Sequence, residues 1–338
     1  MQTTTSARLW SRPLIVMLLA TSACFLWGTA FPGLKLSYQA LGIRPQDIFL
    51  NILFASYRFF LASLMLLLAI GLSGISIKLP EKGVLRRLLL LGLIQTTLQY
   101  VLFYVGLSAT AGVKASILGG TSTFFSVVMA HFIYENDRLS WSKILGLIAG
   151  FSGLILVNLG KGGITLEFAL AGEGLLVLSY LAGSIANFPA KGLSQRLNPL
   201  VVTFYQMFLG SLMLFALAVT KESPGALHFS VYTSGLLLWL AFLSAAAFGT
   251  WTVLLKYNAV GKISLYQFLI PVFGTISSAL LVPGEKLTPT VLGALLLVSV
   301  GILAVNRDKE SAHQEPESPQ QEPESPQQEL KSPLEENK

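Results

Sequence analysis

The chain is poor in the side chains that most enzymes use. Its 338 residues include one cysteine, three histidines and 12% charged residues. The single cysteine, Cys24, cannot form an internal disulfide or a thiolate metal cluster. The histidines are scattered at positions 131, 228 and 313, and the acidic residues form no paired metal-binding motif. Membrane enzymes concentrate such groups for metal or acid–base chemistry. We therefore expect no catalytic residue, no metal and no cofactor.

Apolar residues dominate instead, at 53% of the chain, with a mean hydropathy of +0.66. Soluble proteins contain about 25% charged residues, so lipid is the expected surrounding of this chain. Stretches of about 15–24 mostly apolar residues are long enough to cross a bilayer as helices. The sequence predicts an all-α integral membrane protein with ten spans, at 14–34, 49–71, 85–108, 115–134, 144–158, 170–190, 199–220, 233–255, 264–282 and 290–305.

Basic residues predict the orientation of these spans. If the N-terminus is cytoplasmic, the inner face carries fourteen lysines and arginines near span ends and the outer face carries six. Basic residues near span ends are retained on the cytoplasmic side. An apolar run that continues past Cys24 favours a first span over a cleaved signal peptide. We expect a bacterial inner-membrane protein with both termini in the cytoplasm.

The two halves of the chain resemble each other. Phe31-Pro32 matches Phe188-Pro189, Tyr104 matches Tyr257, and Val157-Asn158 matches Val305-Asn306, with offsets of 157, 153 and 148 residues. A unit of five spans ends on the side opposite to its start, so a second copy must be inverted. Inverted repeats are the architecture of alternating-access transporters. We expect a cytosolic N-terminus at 1–13, five-helix repeats at 14–158 and 170–306, and an acidic, disordered cytosolic tail at 307–338.

Several short motifs carry a resemblance to a known family. They are the run Trp27-Gly28-Thr29-Ala30-Phe31-Pro32, the triplet Tyr57-Arg58-Phe59, and Glu285-Lys286-Leu287 with its counterpart Asp137-Arg138-Leu139. With the glycine-rich fifth and tenth spans, these motifs resemble the ten-span EamA-type members of the drug/metabolite transporter superfamily. The resemblance covers about residues 14–306. It implies a secondary carrier of amino acids, nucleotide-like metabolites or drugs.

Helix breaks are expected where such a carrier bends. The first and sixth spans contain Pro32 and Pro189, and the ninth contains Pro271. The family often has a proline in the fourth span as well, but this chain has threonines at 121 and 123 there. Gly119-Gly120 can supply the bend instead. The alternative is that each of these is an ordinary kink whose freed backbone groups are satisfied by serine and threonine.

Arg58 is the one full charge near the middle of a predicted span. An arginine at this depth costs about 2.5–3.5 kcal/mol on insertion scales, so it needs a buried partner or a wet cavity. Its guanidinium could hold a substrate carboxylate in bidentate fashion. The alternative is a structural clamp on helix-end carbonyls.

The remaining candidate substrate-binding residues are aromatic and amide side chains in the spans that surround the central cavity in the resembling family. Gln95 and Gln99 are one helical turn apart and share a face if the helix is regular. Interhelical hydrogen bonds and simple packing are the alternatives for all of these positions. The set is Trp27, Gln95, Gln99, Tyr100, Phe124, Asn187, Phe188, Trp251, Tyr266 and Gln267.

These observations favour a carrier of a small polar metabolite. By analogy with the family, an amino acid or a derivative such as S-adenosylmethionine is the leading prediction, and drug or toxic-metabolite efflux is the alternative. Because no carboxylate lies mid-span, we expect exchange or gradient-driven flux. A membrane enzyme or a channel is disfavoured, since the chain has no metal motif, filter-like repeat or charged ring. The expected partners are a small-molecule substrate and the bilayer, with no nucleic acid; the oligomeric state stays open.

Overall fold

The computed structural model describes residues 9–110, 115, 118–159, 170–283 and 289–312. These residues are almost entirely helical, which confirms the predicted all-α fold. Three helices combine more than one helical type: α3 contains a π-helical segment at Leu93–Leu98, α6 begins with one at Leu170–Gly174, and α9 contains a 3-10 segment at Leu265–Phe268. The helices are α1 Pro13–Leu41, α2 Ile48–Leu72, α3 Lys82–Ser108, α4 Thr121–Ile133, α5 Trp141–Leu159, α6 Leu170–Arg196, α7 Pro199–Ala218, α8 Val231–Tyr257, α9 Val260–Leu281 and α10 Pro289–Ala312.

Seven of these helices are long and apolar enough to cross a membrane: α1, α2, α3, α6, α7, α8 and α9. Three shorter apolar helical segments of 10–17 residues in the described part of the chain are α4 and the apolar parts of α5 and α10, at Trp141–Leu156 and Pro289–Leu303. Within the described residues each predicted apolar stretch is largely helical, and the number of complete crossings stays a prediction. Residues 313–338 of the predicted tail and the Glu285-Lys286-Leu287 motif lie outside the described residues, whereas residues 307–312 belong to α10.

Three helices extend well beyond their predicted ends: α1, α6 and α10, the last of which continues to Ala312. α1 continues to Leu41, where Gly42 adopts a left-handed conformation with φ of 68° and its N–H is directed at the carbonyls of the last turn. This is the usual glycine stop of a helix. α6 continues to Arg196, and the Asn198 side chain then accepts from the Leu200 amide at 2.9 Å to begin α7. The apolar pattern marked the lipid-facing length of α1 and α6, whereas capping residues set where they end.

The helices pack as two equivalent halves. α2 packs against α7, α4 against α9, and α5 against α10, so each of these helices meets its own counterpart. The other contacts come in matched pairs: α1 with α8 and α9 corresponds to α6 with α3 and α4, and α2 with α8 corresponds to α7 with α3. Exchanging each helix for the one five places along therefore reproduces the main contacts. This is the pattern expected of a pseudo-twofold repeat.

Glycines bring helices from different halves into close contact. A Cβ on Gly28 of α1 would lie 2.7 Å from the Phe273 Cβ and 2.8 Å from the Gly274 amide nitrogen of α9. Between α5 and α10, a Cβ on Gly153 would lie 3.0 Å from the Ala294 carbonyl oxygen, and one on Gly301 would lie 3.2 Å from Gly146. Small residues at such positions let membrane helices approach closely, because dispersion contacts drive their association.

Candidate functional site

The broken helices α4 and α9 lie against each other. The first segment of α9 ends at Ser264, and the 3-10 segment separates it from Leu269–Leu281. Pro271 lies in the first turn of that last segment, where a missing N–H is well tolerated. In α4 a turn at Gly120 precedes Thr121, and the Thr123 hydroxyl donates to the Ser264 carbonyl at 3.3 Å. Both helices are therefore irregular where they meet.

The proline positions of α1 and α6 behave differently. Both helices continue in α-helical form through Pro32 and Pro189. One turn after Pro32, the Ser37 hydroxyl donates to the Gly33 carbonyl at 2.7 Å. The helices therefore carry the prolines without a change of helical type, as membrane helices do when neighbouring groups satisfy the backbone.

A continuous wall of aromatic rings crosses the interior between α1, α2, α3 and α8. Trp27 contacts Trp251 and Phe248 edge-on, with ring centroids 5.3 and 5.1 Å apart. Phe248 contacts Phe59 at 6.4 Å, and Phe59 contacts Tyr100 at 4.6 Å. Three predicted substrate-binding residues, on three different helices, therefore belong to one aromatic surface. Edge-to-face contacts of this kind are favourable beyond their buried area.

Arg58 lies beside this wall and is only 2% exposed. Its Nε donates to the Ser244 hydroxyl at 2.8 Å and to the Leu240 carbonyl at 3.3 Å, both on α8. The guanidinium carbon is 5.1 Å from the centre of the Phe59 ring. One side of the guanidinium is thus held against the middle of α8, whereas the structural alternative expected helix-end carbonyls. The terminal nitrogens donate no hydrogen bond to any residue that the structure describes.

Three tyrosines lie near Arg58, and two of them are not among the residues predicted from the sequence. Tyr38, Tyr100 and Tyr104 all lie within electrostatic range of the guanidinium. The hydroxyls of Tyr38 and Tyr104 also lie close to each other, yet both are buried and neither reaches hydrogen-bond geometry with a described residue. A tyrosine near a span end is usually an interfacial anchor, which is why Tyr38 gave no signal. Tyr104 was noticed only as the counterpart of Tyr257.

The second half contains an equivalent contact without the charge. Gln206 on α7 follows Arg58 by 148 residues, and Ser244 follows Thr96 by the same number. Gln206 Nε2 donates to the Thr96 hydroxyl at 2.7 Å, as Arg58 Nε donates to Ser244. The pseudo-symmetry therefore pairs a charged contact with a neutral one, and the interior is electrostatically asymmetric.

One predicted amide on α3 lies within a helix irregularity and the other lies directly after it. Gln95 is buried within the π-helical segment, and Gln99 follows that segment. A π-helix has a wider turn than an α-helix, so the shared α-helical face expected from the spacing does not apply unchanged. Gln99 packs on α6, where a Cβ on Gly183 would lie 2.7 Å from Gln99 Nε2. The Ser179 hydroxyl donates to the Gln99 carbonyl at 2.8 Å.

Other candidates lie away from the aromatic wall or serve as interhelical contacts. Asn187 Nδ2 donates to the Ser126 hydroxyl at 3.4 Å and so links α6 to α4. Phe188 stacks on Tyr134 at 5.9 Å, beyond the end of α4. Phe124 is 44% exposed. Asn187 and Phe188 thus contact neighbouring elements, and a role of all three residues in substrate binding stays a prediction.

The candidates on α8 and α9 are buried polar groups. Trp251 Nε1 and Gln267 Oε1 are both buried without a hydrogen-bond partner among the described residues. Tyr266 is 1% exposed, and its carbonyl accepts from Cys24 Sγ at 3.2 Å. Unsatisfied buried polar atoms are rare in native structures, and they point to a missing partner such as water or a ligand.

Polar contacts join helix ends at the side predicted to be cytoplasmic. The Asp137 carboxylate, between α4 and α5, accepts from Lys143 Nζ at 2.6 Å and from the Gly261 amide of α9 at 2.8 Å. Lys191 of α6 donates to the carbonyls of Leu255 and Asn258 at the end of α8. These contacts hold the ends of α4, α6, α8 and α9 together on one face of the bundle.

Two pseudo-symmetric halves of apolar helices, with irregular helices and a buried charge in the interior, define a multi-pass membrane transporter. The sequence profile of the EamA-like transporter family matches residues 14–159 and 170–307, and the chain belongs to this family. This assignment confirms the drug/metabolite transporter resemblance.

Similar proteins agree with this membership. The chain is 27% identical to the "Uncharacterized transporter YvbV" of Bacillus subtilis (strain 168), over 86% of this chain and 90% of that one. It is 23% identical to a "Probable terminal-alkyne amino-acid exporter" of Streptantibioticus cattleyicolor, over 83% and 90% of the two chains. A solved crystal structure superimposes with a TM-score of 0.73 at 15% identity, covering 89% of this chain and 99% of the other, which shows a shared fold.

Proposed function

We propose that this transporter is a secondary carrier of a small polar metabolite, namely an amino acid or an amino-acid derivative such as S-adenosylmethionine. The observation that carries the proposal is the aromatic wall through Trp27, Phe59 and Tyr100 with Arg58 beside it. An aromatic surface alone would also suit an apolar drug. The adjacent buried cation favours a solute that combines an apolar or aromatic part with an acidic group. The amino-acid exporter named among the similar proteins supports the same class.

Transport would proceed by alternating access between the two halves. The matched contacts of α1 with α8 and α6 with α3 allow the halves to move as similar units, as in carriers with inverted repeats. The irregular segments of α4 and α9 are the points where the helices are most easily bent. In this proposal the contacts of Asp137 and Lys191 close the cytoplasmic side, and their release would open it.

We propose exchange or gradient-driven flux rather than obligate proton coupling. In the seven long described helices, the one acidic side chain is Glu173, in the first turn of α6. Proton-coupled carriers usually contain a carboxylate deeper in the membrane. His131 is held near the end of α4, where its Nδ1 accepts from the Leu139 amide at 3.0 Å.

Counterflow in proteoliposomes tests the function directly. Purified protein would be reconstituted with unlabelled solute inside, and uptake of labelled amino acids, nucleosides and S-adenosylmethionine would be measured. Saturable uptake of an amino acid or S-adenosylmethionine that internal solute stimulates supports the carrier. A response only to apolar drugs would favour the efflux alternative, and non-saturable flux would indicate a channel. Uptake abolished by a protonophore, at fixed membrane potential with internal solute present, would contradict exchange.

The cytoplasmic position of both termini in the bacterial inner membrane is part of the same proposal. It rests on the excess of basic residues at one face, among them Arg86, Arg87 and Arg138. Accessibility labelling of single cysteines placed at positions 5 and 330 tests it in intact and permeabilised cells. Labelling of one terminus only in intact cells would contradict an even number of spans.

A further inference from the structure

We infer that Arg58, Tyr38, Tyr100 and Tyr104 form a subsite that binds the carboxylate of the transported solute. The inference rests on the proposed function and specifies which end of the solute each part of the interior holds. Tyr38 comes from α1, Arg58 from α2, and the other two tyrosines from α3. The subsite therefore exists only when these helices are packed together.

The hydrogen bonds of Arg58 support a role in binding a carboxylate. A guanidinium has five N–H donors in a planar fork. Nε uses its donor on Ser244 and Leu240 of α8. Neither of those acceptors carries a charge, and the terminal nitrogens donate to no residue in the described part of the chain. A buried guanidinium with an unused fork is complementary to a carboxylate, which accepts two parallel hydrogen bonds from it.

The tyrosine hydroxyls support the same carboxylate-binding role. Those of Tyr38 and Tyr104 are buried close to each other, and neither makes a well-aligned hydrogen bond to a described residue; both lie within electrostatic range of Arg58. A phenol donates one hydrogen bond, and a carboxylate offers about four lone-pair positions. Two donors from Arg58 and two from tyrosines fill those positions. In this proposal one bound carboxylate accepts from the guanidinium and from both phenols.

The difference in charge between the two halves of the molecule supports a single carboxylate site. The position equivalent to Arg58 is Gln206, whose amide is already bonded to Thr96. The second half therefore has no counterpart of this carboxylate-binding subsite. Solute would bind in one direction, with its carboxylate at Arg58 and its apolar part on the rings of Trp27 and Trp251. The contact from Nε to α8 positions the guanidinium and uses only one of its nitrogens.

Competition in counterflow tests the inference separately from the proposed function. Each amino acid and S-adenosylmethionine would be compared with its carboxamide or decarboxylated form as a competitor. We expect the carboxylate form to compete and the neutral form to be at least tenfold weaker, since it leaves the buried cation unpaired. Equal competition would refute the subsite but leave the carrier function intact. If neither form competes, the proposed solute class and the subsite are both wrong.

Removing single tyrosine hydroxyls tests which side chains bind the carboxylate. Tyr38→Phe and Tyr104→Phe should each raise the KM for the carboxylate solute about tenfold, the loss typical of a hydrogen bond to a charged group. Tyr205→Phe is the matched control, because its hydroxyl donates to the Ile77 carbonyl at 3.2 Å outside the subsite. Its KM should be unchanged. An unchanged KM in both subsite variants would overturn the inference.

Arg58 itself is tested by selectivity rather than by loss of transport. Arg58→Gln should abolish the preference for the carboxylate over the carboxamide, whereas a purely structural arginine would lower the amount of folded carrier and leave selectivity intact. Preserved selectivity in residual Arg58→Gln transport would therefore refute the subsite. Where this variant yields no folded protein, the two tyrosine variants carry the test, with elution from size exclusion as the folding check.

Discussion

The buried pair Asp137–Lys143 gives the sharpest stability prediction. Lys143 Nζ donates to the Asp137 carboxylate at 2.6 Å and to the carbonyls of Asp137 and Arg138 at 2.9 and 2.7 Å. The two side chains are 11% and 1% exposed. The second carboxylate oxygen accepts from the Gly261 amide at 2.8 Å. Asp137 therefore joins the α4–α5 connection to the start of α9.

Removing the carboxylate should be costly because it leaves both partners uncompensated. Asp137→Ala leaves the Lys143 ammonium buried with two neutral carbonyls, and it leaves the Gly261 N–H without its acceptor. Breaking a buried ion pair by removing one partner costs about 3–5 kcal/mol. For a chain of this size we expect the midpoint of thermal unfolding to fall by about 5–10 °C.

A double-mutant cycle separates the pair from general disruption. Asp137→Asn keeps an oxygen for the Gly261 amide, and Lys143→Met removes the ammonium with little change of shape. The combined variant should be less destabilised than the sum of the single variants by more than about 1 kcal/mol, as for directly coupled residues. Unfolding of detergent-purified protein would be followed by intrinsic tryptophan fluorescence.

The exposed pair Arg44–Asp47 is the matched control. Its arginine side chain is 78% exposed, and the Nε to carboxylate distance is 3.3 Å. Hydrogen bonds from the Arg44 amide and guanidinium lower the pKa of Asp47. The Asp47 carboxyl has a lower pKa in the folded protein than in the unfolded chain. Its contribution to the free energy of unfolding is therefore present at pH values above the unfolded pKa, and it is lost as the pH falls through the folded pKa. At pH 7, Asp47→Ala should have a much smaller effect than Asp137→Ala. Equal midpoints for wild type and Asp137→Ala would refute the reasoning.

Further predictions concern packing, the helix-end contacts and the tail. Gly28→Ala places a Cβ 2.7 Å from that of Phe273 and should destabilise the protein by about 1–3 kcal/mol; Gly192→Ala, with no atom within 4 Å of the added Cβ, should not lower the unfolding midpoint. Lys191→Met removes two hydrogen bonds to the end of α8, so amide hydrogen exchange at 254–262 should become faster. An unchanged exchange rate would show that this contact does not hold the helix end. Deleting 311–338 should leave uptake intact; a normally expressed truncation without uptake would contradict this.

Some candidate site residues could be predicted from the sequence, because the free-energy cost of placing such a side chain in a membrane span does not depend on its tertiary contacts. Arg58 was noticed because a cation in an apolar stretch is expensive wherever the helix packs. Trp27, Tyr100 and Trp251 were included because aromatic side chains in spans of this family line the interior, and they do share an aromatic surface. Phe188 was predicted on the same grounds, but it stacks near a helix end, since composition does not reveal the depth at which two rings meet.

Other positions could not be reached in this way. Tyr38 and Tyr104 are 66 residues apart in sequence, and each alone resembles an interfacial anchor. The π-helical segment Leu93–Leu98 changes the relation between Gln95 and Gln99, although their spacing indicated a regular helix. A Cβ on Gly210 of α7 would collide with Thr96 in this segment, so the irregularity is part of how α3 fits against another helix.

The sequence alone determined that this protein is helical, lies in a membrane and consists of two similar halves. Those properties follow from the length of apolar runs, the distribution of charge and the order of repeated motifs, all of which are read along the chain. The tertiary structure alone decided which polar groups meet in the interior. In lipid, helices associate through close packing of small residues and through interhelical hydrogen bonds. Such contacts join Arg58 to Ser244 across 186 residues, and no local pattern encodes that choice of partner.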